Sequence, residues 1–300
     1  MNYYNENTVI YHNGDFVKAT EAKMDFYSQS LHYGYGVFEG IRSYKTVNGD
    51  TKIFKAFEHY ERLKQSALAV NIPYEFDNEV LINATYELLE LNDLQDAYIR
   101  PLIYAPANMS FVKNTTSFIV IEVWEMQPFL GDKLLRVMTS SFQRPNPKGF
   151  KIHAKATGHY VNSLLASQEA KGHGYDEALL LDMNDNIAEG PGANMFYEKD
   201  GILYTPSTGN ILPGITRATV FELGELLRIP VIEKKCTIDE LKSADSAFFC
   251  GTAAEVIGWH SIDEYEFPLP WKQSAGAVIQ KAYAAKVKDE AIQEPLATIN

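Results

Sequence analysis

The chain has 300 residues, 46% of them hydrophobic and 22% charged, with a net charge of −12. This is an ordinary globular composition, long enough for one large domain or two medium ones, and its acidity speaks against a nucleic-acid backbone or an anionic membrane as partner. Cys236 and Cys250 make neither a disulfide framework nor a metal or redox pair, and the N-terminus has no signal-peptide pattern, so a cytoplasmic protein without a membrane span is expected.

Residues 11–18 read as a hairpin turning at Asn13-Gly14, and residues 42–54 as a second one around Asn48-Gly49. Between them, residues 31–40 are dense in glycine and aromatic side chains. Phe57, Tyr60, Leu63, Ala67 and Val70 recur at helical spacing and predict a helix that starts near Lys55 and stops at Pro73. Asp77 is the expected N-cap of a second helix lined by Leu81, Ala84, Leu88 and Leu91. Residues 97–105 and 118–124 read as buried strands. Residues 1–126 therefore form a small α+β domain, and 127–136, with Pro128 and Gly131, an interdomain loop.

Residues 137–300 are the expected large domain. Strands are predicted over 134–140, 178–183, 193–198, 202–204 and 246–250. A helix over 160–171 should bury Val161, Leu164 and Leu165, and one over 216–228 should bury Val220, Leu223 and Leu227; a third spans 271–288. Mixed strands and helices in both halves, without regular alternation, argue for an α+β fold.

Several stretches could carry chemistry. Lys155 lies in a small-residue loop at the mouth of a helix, a suitable place for an amine nucleophile, although most lysines are solvated surface charges. Leu212-Pro213-Gly214-Ile215-Thr216-Arg217 runs straight into a helix whose first N–H groups could meet an anion. Gly251-Thr252-Ala253-Ala254, after an apolar strand, could do the same. Each alone is better explained as an ordinary turn. Gly34-Tyr35-Gly36-Val37-Phe38-Glu39-Gly40 has the wrong spacing and lies between strands, so it is no dinucleotide fingerprint. The seven histidines show no metal-ligand spacing. Glu189, at a glycine-flanked strand end, is either a turn residue or a charge partner for a ring nitrogen. Arg100, in an apolar strand, needs a buried anion from the protein or from a ligand.

Seven ordered stretches carry a resemblance: His32-Tyr33-Gly34, Val37-Phe38-Glu39-Gly40-Ile41-Arg42, Tyr98-Ile99-Arg100-Pro101-Leu102, the Lys155 loop with Tyr160, Glu189-Gly190, the 212–217 run and Gly251-Thr252-Ala253-Ala254-Glu255. With them the chain resembles the class IV (fold type IV) pyridoxal-phosphate aminotransferases, most closely the branched-chain amino acid aminotransferases. The resemblance implies a two-domain fold, a small α+β domain and a larger pseudo-barrel domain with pyridoxal 5'-phosphate at their interface. It also implies at least a homodimer, because the partner's loop helps close the pocket.

Position by position, the resemblance implies that Lys155 is the catalytic amine that holds the cofactor covalently. Tyr160 would meet the ring oxygen and Glu189 the ring nitrogen. Arg62, Leu212, Ile215, Thr216 and Thr252 complete the implied cofactor set, with Arg62, the 215 and 216 amides and the Thr252 hydroxyl on the phosphate. The Ala253 and Ala254 amides would take the substrate α-carboxylate. Tyr33, Phe38, Gly40 and Tyr98 would wall the side-chain pocket, and Arg100 would meet the second carboxylate of an acidic substrate. Met126 and Phe129 stand where many relatives carry Trp and Tyr. The implied activity is transamination of L-leucine, L-isoleucine and L-valine with 2-oxoglutarate. Alternatives within the family are a D-amino acid aminotransferase, an R-selective amine aminotransferase and aminodeoxychorismate lyase. Outside it stands a cofactor-free binding protein on a retained fold.

Overall fold

The computed structural model describes residues 3–126 and 133–292. The chain divides into two compact units, one of Met1–Gln127 with Ala154–Tyr160, the other of Pro128–His153 with Val161–Asn300. The loop that holds Lys155, expected with the large domain, thus belongs to the first unit.

In the first unit, β1 (Val9–His12) and β2 (Asp15–Lys18) form the expected hairpin. α1 (Gln29–Tyr33) leads into β3 (Gly36–Phe38), and β4 (Ile41–Lys45) and β5 (Thr51–Ile53) form the second hairpin. α2 (Ala56–Ala69), α3 (Asn78–Leu91), β6 (Ala97–Tyr104) and β7 (Phe118–Glu125) follow. The strands make one antiparallel sheet in the order β2-β1-β7-β6-β4-β5, with β3 also on β6. β6 and β7 pair from Ala97↔Glu125 to Tyr104↔Phe118. Side chains alternate across a strand. Ile99, Ile103, Ile119, Ile121 and Val123 therefore share one face, where they pack with Tyr60, Leu63 and Ala67 of α2 and with Leu81 and Leu88 of α3. Tyr98, Arg100, Leu102, Glu122 and Trp124 are left on the other face. Phe57 and Leu91, expected in the core, lie in the first turn of α2 and the last turn of α3 and stay more than half and half exposed respectively.

The second unit contains β8 (Leu135–Gln143), α4 (Tyr160–Gly172, its first residue counted with the first unit), β9 (Glu177–Leu181), β10 (Ile187–Glu189), β11 (Asn194–Lys199) and β12 (Ile202–Pro206). α5 (Ile215–Leu227), β13 (Val231–Lys234), α6 (Ile238–Leu241), β14 (Ser246–Gly251), β15 (Glu255–Ile262), β16 (Tyr265–Glu266) and α7 (Ala275–Val287) complete it. The sheet runs β10-β9-β8-β15-β14-β11-β12-β13, with β16 on β15. The parallel pairs β8/β9 and β12/β13 enclose α4 and α5 in sequence, as a parallel connection requires.

α4 reverses the expected burial. Val161, Leu164 and Leu165 are exposed, whereas Ser163, Ala166 and Ala170 are buried. Ala166 and Ala170 pack against Ala178 and Leu180 of β9. Small side chains bring the helix backbone close to the strand, and the larger ones are turned away from it.

The Asp77 carboxylate accepts the N–H groups of Glu79 and Val80, as an N-cap should. Asp77→Ala is expected to cost about 1 kcal/mol, read as a lower urea midpoint with an unchanged slope against urea.

Candidate active site

The backbone fixes Lys155 first. Its carbonyl accepts the Phe38 N–H at 3.0 Å, and its own N–H donates to Ser66 Oγ at 3.0 Å. Gly158 N–H donates to Gly34 O at 3.0 Å, and the Thr157 hydroxyl to the same oxygen at 2.6 Å. Gly34 closes α1 in the left-handed region (φ 62°), and a Cβ there would lie 2.7 Å from Gly158 Cα. Only glycine allows this approach of two backbones. Lys155 Nζ–H donates to Tyr160 Oη at 2.7 Å. The same nitrogen lies 4.9 Å from the centre of the Phe38 ring, which meets Tyr160 edge-on at 4.7 Å.

Next along the chain is Glu39, fully buried. Its Oε1 accepts Arg62 Nε–H at 2.7 Å, and its Oε2 accepts Arg62 Nη2–H at 2.9 Å and His59 Nδ1–H at 2.7 Å. Burial alone would raise the Glu39 pKa, but the Arg62 charge and the hydrogen bonds from His59 and Arg62 hold it well below the usual carboxylate range. Burial pushes the His59 pKa down despite the pull of Glu39, so His59 serves as a neutral ring whose Nδ1–H donates.

Arg100 lies on the sheet face away from the core. Its guanidinium carbon is 4.6 Å from the centre of the Phe38 ring, 5.2 Å from Tyr98 and 5.9 Å from Trp124. Nη2–H donates to Tyr98 Oη at 3.3 Å, and the buried Nε has no acceptor. Among the described residues, no carboxylate is in ion-pair range of it. Tyr98 stacks on Trp124 at 5.0 Å, and its hydroxyl fills the space that a Cβ on Gly40 would need. Phe38, Gly40, Arg62, Tyr98, Arg100, Lys155 and Tyr160 thus come together within the first unit. Tyr33 sits apart on an exposed helix end beside Phe111. Met126 is half-buried at the end of a described stretch; Phe129 lies outside the described residues.

In the second unit, Glu189 ends β10 and is again buried. Its Oε1 pairs with Arg144 Nε at 3.0 Å and accepts the Leu212 N–H at 3.2 Å. Its Oε2 accepts Asn194 Nδ2–H at 3.0 Å. Asn194 Nδ2–H also donates to Leu212 O at 3.0 Å, and Asn194 Oδ1 lies 2.0 Å from where a Gly214 Cβ would stand. One amide side chain thereby ties Glu189 to the turn that opens α5. That helix has no side-chain cap, and Thr216 in its first turn is buried. Asn194 pairs with Cys250, so the half-buried turn Thr252–Ala254, just beyond, follows the same strand pair. Glu189, Leu212, Ile215, Thr216, Thr252, Ala253 and Ala254 thus belong to connected elements of the second unit.

Glu39, His59, Arg144 and Asn194 carry no role in the sequence reading. Glu39 had a signal, an acid inside the apolar run Val37-Phe38-Glu39-Gly40-Ile41. The other three become visible only when residues distant in sequence are paired.

The first unit therefore offers an amine against a phenol and an aromatic ring, with a fixed guanidinium nearby. The second offers an anchored carboxylate beside uncapped helix N–H groups. A family model, amino-transferase class IV, matches residues 36–262. The chain belongs to the class IV aminotransferases. Among members of this family, a branched-chain-amino-acid aminotransferase of Pseudomonas aeruginosa is 37% identical over 281 residues, covering 92% of this chain and 91% of its own. The solved structure of a branched-chain aminotransferase from Thermoproteus uzoniensis with norvaline matches with a TM-score of 0.90 at 35% identity, over 94% of this chain and 95% of that one. The branched-chain amino acid aminotransferase of Thermobaculum terrenum, solved in its PLP-form, matches at 0.90 and 34%, over 96% of each chain. The α+β, fold type IV architecture expected from the sequence is the one found.

Removing one partner of a buried ion pair strands the other, so Glu39→Gln is expected to cost about 3–5 kcal/mol of stability. The folded pKa of Glu39 lies below its ordinary value of 4.5. Its contribution is therefore complete above that pH and is lost as pH falls through the folded value. Urea midpoints should fall less steeply below pH 4.5 in Glu39→Gln than in the parent; parallel slopes would contradict the pairing.

Proposed function

We propose that this class IV aminotransferase transfers the amino group of L-leucine, L-isoleucine and L-valine to 2-oxoglutarate, using pyridoxal 5'-phosphate and yielding branched 2-oxo acids and L-glutamate. The observation that carries the reading is Lys155, whose Nζ is held 2.7 Å from Tyr160 Oη beside the Phe38 ring, in a chain similar to branched-chain aminotransferases over most of its length.

The donor set fits the cofactor. An uncapped helix start at Ile215 and Thr216 suits a phosphate. The Thr252 hydroxyl is a further donor of the second unit that would suit the phosphate, and Arg62, its guanidinium plane set by Glu39, is one of the first unit that the resemblance assigns to it. Glu189, an acceptor among fixed donors, suits a protonated ring nitrogen, and Tyr160 suits the ring oxygen. When bound, pyridoxal phosphate supplies a carbonyl for covalent attachment and a sink for the electrons released at substrate Cα.

The protein's own groups do the rest. Lys155 Nζ would hold the cofactor and, when free, would be the base that takes the proton from substrate Cα. Tyr160 Oη orients that nitrogen. The Ala253 and Ala254 amides donate to the α-carboxylate, which fixes the Cα–H bond in direction. Phe38, Gly40 and Tyr98 give an aliphatic side chain an apolar wall. Arg100, spread over three rings with an orphaned Nε, gives an acidic side chain its counter-charge. Tyr33, Met126 and Phe129 complete the proposed substrate set. We read the enzyme as a homodimer or larger assembly of the cytoplasm; no helix of the described residues is long and apolar enough to cross a membrane.

Purified protein should be yellow, and borohydride should fix the cofactor to a peptide containing Lys155. Lys155→Ala should lose at least about a thousandfold in turnover while still binding the cofactor non-covalently. A protein that stays colourless with added pyridoxal phosphate would end the reading. Arg100→Ala should slow the half-reaction with glutamate by about ten- to a hundredfold and that with leucine by much less. Equal losses in single-turnover assays would remove Arg100 from this role.

A further inference from the structure

Arg100 has a neighbour that the reaction as described does not use. Glu122 stands directly opposite it in the β6/β7 register, on the same face of the sheet. Directly opposed residues of an antiparallel pair have Cβ atoms about 5 Å apart. Two side chains of this length can meet across that gap by changing rotamer. In the structure they do not. Arg100 lies over the Phe38, Tyr98 and Trp124 rings, and Glu122 has no hydrogen-bond or ion-pair partner among the described residues. Both line a cavity of about 510 Å³ on this face, together with Leu102, Trp124, His12 and Lys23. Partial loss of water around its carboxylate raises the Glu122 pKa although the residue as a whole is exposed, and the charge that pulls it back is that of Arg100.

The substrate site proposed above, which shares Arg100 with this cavity, must take aliphatic and acidic side chains in turn. A bare guanidinium facing a leucine side chain is poorly solvated, whereas one facing a glutamate side chain is satisfied. We infer that Glu122 is a specificity-determining residue, a counter-ion within rotamer reach that neutralises Arg100 when an aliphatic substrate is bound and that competes with the second carboxylate of an acidic one. This rests on the reading of Arg100 as the receptor of the second carboxylate. Glu122 then shifts preference toward aliphatic substrates by competing for Arg100, without touching either substrate.

The test is a double-mutant cycle on the holoenzyme. Single-turnover rate and apparent affinity are measured with L-glutamate and L-leucine for the parent, Glu122→Gln, Arg100→Ala and the double variant. Glu122→Gln should tighten glutamate about three- to tenfold, the effect of one charge at this range near a surface, and should move leucine less than twofold. Glu122→Ala should act in the same direction. In the Arg100→Ala background Glu122→Gln should do nothing. An unchanged glutamate-to-leucine ratio in Glu122→Gln, or the same shift with and without Arg100, overturns the inference while leaving the role of Arg100 intact. If Arg100→Ala by itself slows both substrates equally, the reading of Arg100 fails and the inference falls with it.

Discussion

A carboxylate deprived of water must find its donors in the protein, or it loses its charge. Each unit of this chain holds one such group at its candidate site. Glu39 gathers the Arg62 guanidinium and the His59 ring from α2 to the end of β3. Glu189 gathers Arg144, Asn194 and the Leu212 amide from three separate segments to the end of β10. These anions do more than stabilise. A guanidinium gripped by both edges of a carboxylate has its plane fixed, which a lone arginine on a helix would not. A carboxylate held by an asparagine, an amide and an arginine has few rotamers left to it.

The Lys155 loop depends on the first of these centres through the backbone. Phe38, Glu39 and Gly40 are consecutive, yet they address different partners. Phe38 N–H donates to the Lys155 carbonyl, Glu39 takes Arg62, and Gly40 leaves room for the Tyr98 hydroxyl. A shift of one residue here would move all three at once. The short strand is paired to β6 from Gly36↔Tyr104 to Phe38↔Leu102, which removes that freedom.

Much of the fold was legible because it rests on periodicity and turn chemistry. Both hairpins, α2, α3 and α5 follow the patterns that Asn-Gly turns, an Asp cap and apolar spacing announce. α4 was misread because burial there follows closeness of approach; Ala166 and Ala170 outrank Leu164 and Leu165. β15 was missed although it lies between β8 and β14, because Glu255–Ile262 offers no clean alternation. The candidate site was legible only as a set. Anion recognition by helix N–H groups leaves almost no mark on side-chain identity, so the 212–217 run looks like any capped turn. The supporting residues were harder still. Asn194 reads as a strand residue and Arg144 as a loop charge until folding places both on Glu189.

One pocket that must serve a leucine and a glutamate cannot be wholly apolar or wholly charged. Aromatic faces offer a way between. Stacked over Phe38, Tyr98 and Trp124, the Arg100 guanidinium is partly stabilised by ring electrons and exposes flat, weakly hydrated surface. Its Nε–H is left without an acceptor in the protein, a donor that a carboxylate could satisfy. A lysine could not divide itself in this way, because its ammonium is a strongly hydrated point charge with no flat face to stack. On the role proposed for Arg100, an arginine at position 100 suits the two substrates together, and neither alone would require it.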